Sequence, residues 1–374
     1  MSLTGKHTSP SNALNREKIK ELLSLQGFKE IDALCRKAFE VKKQNTGNKV
    51  YLRGLLELSN ICRKNCYYCG ICRKNTHLNR YTLKESEVLD AVQFAYENNF
   101  GSLVMQSGER SDKEFVGFVD NLLQKIHQQT NNSLGITLSL GEQSEETYKR
   151  WFESGAERYL LRIETSNEKL YYKLHPKDKA HSFTGRIAAL KSLKKIGYQT
   201  GTGIMIGLPF QSIENLAEDL LFMKDHGCAH GRHGALCGTC QKPLCIKYRS
   251  LVPSKKERFQ LSLKMIATLR LLMPDINIAS TTALETLNPN GRLMALEAGA
   301  NVFMPNLTPV QYREDYFLYE GKPGINTDVM TYLKEFDNKL KENGQQIGWG
   351  RRGIQQGSEI SLDTHKKRSE GGCL

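Results

Sequence analysis

Short apolar segments alternate with amphipathic helical patterns through most of this 374-residue chain. The apolar segments are rich in Val, Ile, Leu and Thr, and seven of them read as strands: residues 52–59, 102–106, 134–140, 158–164, 200–206, 276–282 and 301–305. Helical patterns fill the gaps, at residues 83–98, 112–129, 144–154, 182–196, 213–226, 255–272 and 293–298. Parallel neighbouring strands need a crossover helix, so this alternation predicts a parallel sheet.

A closed barrel of eight βα units needs one unit more than these seven. The missing unit should lie between Asp225 and Lys255, where no ordinary strand pattern is visible. We therefore predict an α/β fold, a (βα)8 TIM barrel with an N-terminal helical extension and a short C-terminal elaboration. The predicted segments are 1–48 for the extension, 49–310 for the barrel, 311–350 for an elaboration that closes it, and 351–374 for a polar, basic, Gly-rich flexible tail.

Composition narrows the class of protein further. Mean hydropathy is -0.49, and no apolar run approaches the roughly 18–20 residues that span a bilayer. The first 50 residues contain no apolar stretch of the signal-peptide kind, so we expect a cytoplasmic protein without a membrane partner. The net charge is +13, but basic residues are spread along the chain and alternate with acids, which argues against a nucleic-acid partner.

The ten cysteines are distributed unevenly, and eight of them fall in two short groups. A secreted disulfide scaffold spreads its cysteines over the whole chain, so metal or redox chemistry explains this distribution better. The cysteines stand at positions 35, 62, 66, 69, 72, 228, 237, 240, 245 and 373.

The first group follows the first predicted strand as a C-x3-C-x2-C pattern made by Cys62, Cys66 and Cys69. The C-terminal ends of barrel strands form the active face of this fold. A 4Fe-4S cluster needs one thiolate per iron, so three thiolates leave one iron open to an exogenous ligand. Zinc sites usually use two separated pairs, which fits less well. We interpret Cys72 as a bystander, because a fourth protein ligand would block the open iron.

Polar residues also stand at the ends of the next strands. Glu109 follows the second, Ser139 ends the third, and Arg162 and Glu164 lie two residues apart on one face of the fourth. A buried Arg–Glu pair is costly to desolvate unless a ligand or mutual pairing offsets the cost, which favours a binding role over a purely structural pair. Arg186, in the following helix, could bind a carboxylate bidentately.

The cysteine motif, with an aromatic residue before its third cysteine, resembles the radical S-adenosylmethionine (SAM) superfamily. The resemblance implies that SAM chelates the open iron and that an electron from the cluster cleaves SAM to methionine and a 5′-deoxyadenosyl radical. By the same resemblance Tyr68 lies near the adenine, and Gly108-Glu109 matches the motif that holds the SAM amino group.

Longer stretches resemble the HydE family of radical SAM maturases, which help to assemble the H-cluster of FeFe-hydrogenase. The resemblance covers roughly residues 20–350, and the stretches that carry it are residues 62–70, 139–142, 158–165, 205–209, 280–283 and 304–309. It implies a small organometallic or sulfur-containing substrate, other hydrogenase maturation proteins and an electron donor as partners. It implies Ser139, Glu164 and Arg186 as SAM contacts, and a substrate cavity lined by Thr137, Thr281, Thr282, Met304 and Tyr319, with Asn306 and Thr308 close by.

The resemblance also limits the chemistry of the chain. Hydroxyls at the ends of the last strands offer hydrogen bonds without a general base, so no catalytic residue is predicted beyond the cluster and SAM. Some members of the family bind a second cluster near the end of the barrel. After Tyr319 this chain has only Cys373, so one cluster is predicted.

The second cysteine group departs from the family. Residues 228–246 combine four cysteines and two histidines where the sixth strand should be. One interpretation is a zinc or iron site, and another is an unusual loop. A third hypothesis is that the stretch is translated out of frame. Shifting possible codons for residues 230–239 by one base gives Met-Val-Gly-Met-Gly-Pro-Phe-Val-Glu, and shifting those for 241–246 by two bases gives Glu-Thr-Pro-Leu-Tyr, both similar to the family's sixth strand and its continuation.

Two other functions remain open at this point. One is a biotin-synthase-like radical SAM mutase or sulfur-inserting enzyme, which is weakened by the lack of recognisable auxiliary-cluster ligands. The other is a non-catalytic iron–sulfur scaffold or carrier. Release of 5′-deoxyadenosine by reconstituted protein separates the carrier from the enzymes.

Overall fold

A computed structural model describes residues 14–237, 243–324 and 328–353 of the chain. Within them, eight parallel strands close a barrel in the order β1-β2-β3-β4-β5-β7-β9-β10, and β10 pairs with β1 to complete the ring. The strands of the described residues are β1 (Lys49–Ser59), β2 (Ser102–Ser107), β3 (Gly135–Ser139), β4 (Arg158–Leu160), β5 (Gln199–Thr202), β6 (Met205–Ile206), β7 (His230–Gly231), β8 (Gly234–Ala235), β9 (Asn277–Ser280), β10 (Val302–Phe303) and β11 (Gln346–Ile347). This confirms the predicted (βα)8 barrel.

Helices surround the barrel and connect consecutive strands. Many begin at a serine, asparagine or aspartate whose side chain accepts a hydrogen bond from a backbone N–H of the first turn, as Ser182 does from Gly185. In the described residues they are α1 (Arg16–Ser24), α2 (Phe28–Thr46), α3 (Glu85–Glu97), α4 (Lys113–Gln129), α5 (Glu145–Glu153), α6 (Glu168–Leu174), α7 (Phe183–Ile196), α8 (Ile213–Asp225), α9 (Pro243–Lys247), α10 (Lys255–Leu272), α11 (Thr282–Leu287), α12 (Gly291–Glu297), α13 (Val310–Arg313) and α14 (Val329–Glu342).

The barrel is closed by the strand that the sequence pattern missed. β7 supplies the sixth staves of the ring, with Gly201 of β5 beside His230 on one side and Asn277 of β9 beside it on the other. It lies between Asp225 and Lys255, where the missing unit was expected. The strand is only two residues long, and its small or polar residues hide it from a search for apolar segments.

Other strands are shorter than predicted. Regular pairing of β4 ends at Leu160, and the predicted strand at 200–206 is split into β5 and β6. Beyond β4 the backbone of Glu164 still forms an isolated bridge to Ile204. The chain thus stays extended at the barrel mouth, where side chains rather than a continuous ladder decide its path.

Segments outside the barrel pack against its wall and its lower edge. α1 contacts α8 and α10, and α2 packs along α10. At the other end of the chain β11 pairs with the start of β1, where Lys49 lies beside Gln346. The predicted tail lies outside the described residues from 354 onward. In the described parts, no helix is both long enough and apolar enough to cross a bilayer.

Candidate functional site

A cavity of about 1200 Å³ opens at the carboxyl ends of the barrel strands. All ten residues predicted for the cluster and for SAM line it, although they come from five separate stretches of the chain. They are Cys62, Tyr68, Cys66, Cys69, Gly108, Glu109, Ser139, Arg162, Glu164 and Arg186. Cys72 is buried outside this lining, as expected of a bystander.

The cysteine loop is held against the end of β2. A Cβ atom at Gly108 would lie 2.3 Å from the carbonyl oxygen of Ile61, so only glycine permits this approach. The next backbone N–H, that of Glu109, donates to the Cys62 Sγ atom over 3.4 Å. The loop also meets the chain after the barrel, because a Cβ at Gly70 would lie 1.7 Å from the Phe317 carbonyl oxygen. These contacts fix the loop that carries the three thiols.

The three thiols are ill-suited to remain protein thiolates on their own. Burial raises the pKa of Cys66 to about 12 and that of Cys69 well above its usual value, and the neighbouring thiols add to both shifts. Burial also raises the pKa of Cys62. A metal ligand must be deprotonated, so a cationic iron centre among them would supply the missing compensation. The cysteines therefore fit an iron–sulfur cluster.

No three His, Cys, Asp or Glu side chains of residues 14–237, 243–324 and 328–353 are grouped closely enough to chelate one ion. For the first cysteine group this spacing is compatible with a cluster, because each thiolate of such a cluster binds a different iron. It does not suit a single zinc ion, whose ligands converge on one centre.

Four charged side chains form a network beside the thiols. The Lys64 Nζ atom lies 2.8 Å from a Glu142 oxygen and 3.3 Å from a Glu109 oxygen, and Lys64 is almost fully buried. Arg186 pairs with Glu142 from the other side. Burial acts to raise the pKa of Glu142, but the Arg186 and Lys64 cations outweigh it and that pKa is lowered. The network is ionised and preorganised at neutral pH.

The predicted pair of Arg162 and Glu164 is formed, although both residues lie beyond the regular part of β4. The Arg162 Nε and Nη2 atoms donate to Glu164 oxygens over 2.9 and 2.7 Å, a bidentate arrangement. The Tyr68 hydroxyl donates to the same carboxylate over 3.2 Å. Glu164 has a φ of +66°, an unfavourable conformation for a residue with a side chain. Such strain typically persists at functional sites, where surrounding contacts impose it.

The predicted substrate residues are only partly brought together. Thr281, Thr282 and Tyr319 line the main cavity, and the Thr282 and Tyr319 hydroxyls are 2.5 Å apart. Met304 and Asn306 line a deeper cavity of about 750 Å³ that Thr282 and Tyr319 also border.

Thr137 and Thr308 line neither of these two cavities. The Thr137 hydroxyl accepts a hydrogen bond from Arg158, and that of Thr308 accepts one from the backbone N–H of Glu57. Both hydroxyls are thus committed to holding the barrel wall, which a strand pattern cannot distinguish from lining a cavity.

Sequence reasoning missed several charged residues of the two cavities. Lys64 stands between two cysteines of the motif, and its role becomes visible only when Glu109 and Glu142 are seen opposite it. Glu57 and Lys322 form a buried pair with a 2.6 Å separation in the deeper cavity. The inward direction of Glu57 on β1 was a detectable signal, because a charged residue alternates there with buried apolar ones.

Arg232 was also missed, and it borders both cavities. Its Nη1 atom donates to the Gln106 side chain over 2.7 Å, while its Nε atom is buried without a hydrogen-bond partner in the described residues. It belongs to the second cysteine group, in which Cys237 alone lines the main cavity and Cys228 joins the hydrophobic core. Cys240 lies outside the described residues.

Comparison with known proteins agrees with this site. Residues 56–223 match the model of the radical SAM superfamily. The chain is 42% identical over 310 residues to the "[FeFe] hydrogenase maturase subunit HydE" of Thermotoga maritima, a match that covers 82% of this chain and 84% of that one. It is 28% identical over 299 residues to the 3-methylornithine synthase of Methanosarcina acetivorans, covering 77% and 78% of the two chains. A crystal structure of methylornithine synthase (PylB) has the same fold, with a TM-score of 0.76 and 24% identity over 91% of this chain and 96% of that one.

Proposed function

Since this chain belongs to the HydE family of [FeFe]-hydrogenase maturases within the radical SAM superfamily, we propose that it cleaves SAM at a 4Fe-4S cluster and acts on a small precursor of the H-cluster. The observation that carries the proposal is the shared cavity, which gathers three cysteine thiols and seven residues expected to bind SAM. When bound, the cluster supplies the electron that splits SAM into methionine and a 5′-deoxyadenosyl radical.

Cys62, Cys66 and Cys69 hold the cluster and leave one iron accessible. The hydrogen bond from the Glu109 N–H to the Cys62 sulfur stabilises negative charge on that ligand. The buried Lys64 ammonium contributes in the same direction, since it lowers the pKa of both Cys62 and Cys66 against the effect of burial. This chain therefore surrounds the cluster with groups that favour the thiolate state.

The remaining cavity residues orient SAM. Glu109 and Glu142 offer carboxylates to its ammonium, while Arg186 and Ser139 offer donors to its carboxylate. Glu164 is fixed by Arg162, so its carboxylate can accept from a ribose hydroxyl without moving. Because these groups are held before SAM arrives, little conformational entropy is lost on binding.

The deeper cavity binds the substrate, a small organometallic or sulfur-containing molecule. Thr281, Thr282, Met304, Asn306 and Tyr319 surround or adjoin it with hydroxyl, amide and thioether groups. Other hydrogenase maturation proteins supply or receive this molecule, and an electron donor reduces the cluster.

The decisive experiment is anaerobic reconstitution with iron and sulfide, followed by addition of SAM and dithionite. We expect bound iron near four atoms per chain, the electron paramagnetic resonance signal of a reduced 4Fe-4S cluster, and release of 5′-deoxyadenosine. Cys66→Ala should lose the cluster and all cleavage, because one iron loses its thiolate. Cys72→Ala is the matched control, because Cys72 lies in the same loop but outside the cavity lining, and it should retain the cluster and the cleavage.

Two results would contradict parts of this proposal. A reconstituted cluster that binds SAM but never releases 5′-deoxyadenosine would instead indicate a carrier of an assembly intermediate. Loss of the cluster in Cys72→Ala but not in Cys66→Ala would overturn the ligand assignment. Complementation of a strain that lacks its own maturase of this family then tests the place of the chain in hydrogenase maturation.

A further inference from the structure

A strongly basic surface surrounds the loop that carries Cys62, Cys66 and Cys69. We call it the basic face and define it by six exposed residues from three segments: Arg73, Lys74, Lys173, Lys177, Lys247 and Arg249. None of the six forms an ion pair with another residue in the parts of the chain that the structure describes. Elsewhere on the surface many exposed lysines do pair with a carboxylate, as Lys125 does with Glu85.

Backbone contacts bring the three segments of the basic face together at the cysteine loop. The Tyr67 N–H donates to the Leu174 carbonyl over 2.9 Å, and the Leu244 N–H donates to the Tyr67 carbonyl over 3.3 Å. The Asn65 N–H donates to the His181 ring. Leu174 is followed closely by Lys177, and Leu244 precedes Lys247. The positive charges therefore surround the part of the surface nearest the three thiols.

The centre of this region is apolar. Phe210 is 42% exposed, Ile246 63% and Leu251 48%, three of the most exposed large hydrophobic side chains in the described residues. Phe210 packs against Tyr248 with ring centroids 4.8 Å apart, and the Lys173 ammonium lies 3.8 Å from the Phe210 ring centre. An exposed apolar centre with a charged rim is typical of a protein-binding surface.

We infer that the basic face is the docking site of an acidic electron-carrier protein that reduces the cluster. This inference rests on the proposed function and identifies the partner that supplies the electron. The carrier gives up one electron and is oxidised, and the cluster gains that electron. A donor must approach where the cysteine loop is nearest the surface, and unpaired cations there attract a partner of opposite charge and speed its encounter.

Charge reversal on the basic face tests the inference. The test variant is Lys173→Glu, Lys177→Glu and Lys247→Glu together, three exposed side chains outside the cavity lining. The matched control is Lys29→Glu, Lys37→Glu and Lys43→Glu, which makes the same change in net charge on α2, a helix that packs against α10 and α12. Each reconstituted protein is mixed with a reduced flavodoxin of net negative charge, and cluster reduction is followed by stopped-flow absorbance at low and high salt.

We expect the test variant to lower the second-order rate constant at low salt by about tenfold or more, and the control by less than about threefold. The rate for the unaltered protein should fall as salt rises, and the difference between proteins should shrink, because salt screens exposed charges. Dithionite-driven release of 5′-deoxyadenosine should be unchanged in both variants, since a small reductant does not need the docking surface.

The inference is overturned if the test variant accepts electrons from the flavodoxin as fast as the unaltered protein, or if the control is slowed equally. Dithionite-driven cleavage separates this failure from a failure of the proposed function. If the unaltered protein cleaves no SAM with dithionite, the enzymatic proposal is wrong. If cleavage is intact and only the salt-dependent reduction is missing, the docking site alone is wrong.

Discussion

The barrel mouth near β2 and β3 and the sixth stave near β7 treat buried polar groups in opposite ways. At the first, Lys64, Glu109, Glu142 and Arg186 are all buried or nearly so, and every charge faces an opposite charge. At the second, both ring nitrogens of His230 and of His233 are buried without a partner in the described residues. Buried polar groups are normally paired, so the first region has the features of an evolved site and the second does not.

The unpaired atoms near β7 form a group rather than a scatter. Burial lowers the pKa of His230 well below its usual value, and the neighbouring Arg53 and Arg158 lower it further. Two nitrogens of Arg53 and one of Arg158 also lack partners in the described part of the chain. The cost of these groups supports the hypothesis that residues 228–246 are read out of frame, since the shifted reading replaces both histidines by methionine.

The largest expected effect comes from breaking the paired region. Lys64→Met leaves Glu109 and Glu142 buried with one cation fewer, and we expect the free energy of unfolding to fall by about 3–5 kcal/mol. Lys125→Met is the matched control, because its pair with Glu85 is half exposed and such pairs contribute about 0–1 kcal/mol. Urea denaturation of the two variants measures the difference. Equal losses would show that the network at the barrel mouth is not energetically special.

Repairing the unpaired region should have the opposite sign. His233→Met removes two unsatisfied nitrogens from the core, and we expect the protein to gain about 1–3 kcal/mol in denaturation experiments. His181→Met provides the contrast, because the His181 ring accepts from the Asn65 N–H and contacts Asp178. Its loss should destabilise by about 1 kcal/mol. A loss of stability in His233→Met would mean that its nitrogens have partners in solution.

The pH dependence of stability sharpens the same contrast. Burial, followed by the charge of Arg162, lowers the pKa of His233 to about 3 in the folded protein, so the unfolded chain binds a proton first as pH falls below about 6.5. By pH 5 this group costs about 2 kcal/mol. Glu142, whose folded pKa is lowered, keeps its contribution above its unfolded pKa near 4.5 and loses it only in stronger acid. Between pH 7 and 5, His233→Met should therefore show a shallower decline in unfolding free energy than the unaltered protein. Parallel declines would contradict the buried neutral state of His233.

The smallest change is in the gene rather than in the protein. Resequencing the region that encodes residues 228–246 decides between a shifted frame and a genuine substitution. An intact reading frame would end the frame-shift hypothesis. A corrected sequence that reads Met-Val-Gly-Met-Gly-Pro-Phe would remove the unpaired histidines and Arg232 from the barrel together.

The sequence by itself determined the barrel class and the cluster residues. Local spacing fixes both, because alternating strand and helix patterns and three closely spaced cysteines are properties of neighbouring residues. It also determined the Arg162–Glu164 pair, which is two residues apart, and it led to the HydE family, whose membership the comparisons show. The segment boundaries and the cytoplasmic location stay predictions.

Only the tertiary structure decided which distant side chains meet. β7 became the sixth stave because hydrogen bonds from β5 and β9 accept any backbone that fits, whatever its side chains. Lys64 became a network residue because β2 and β3 end opposite it, whereas Thr137 was occupied by Arg158 and left the cavity lining. Pairing across a barrel depends on register and closure, which join residues far apart in the chain and leave no local pattern from which to predict them.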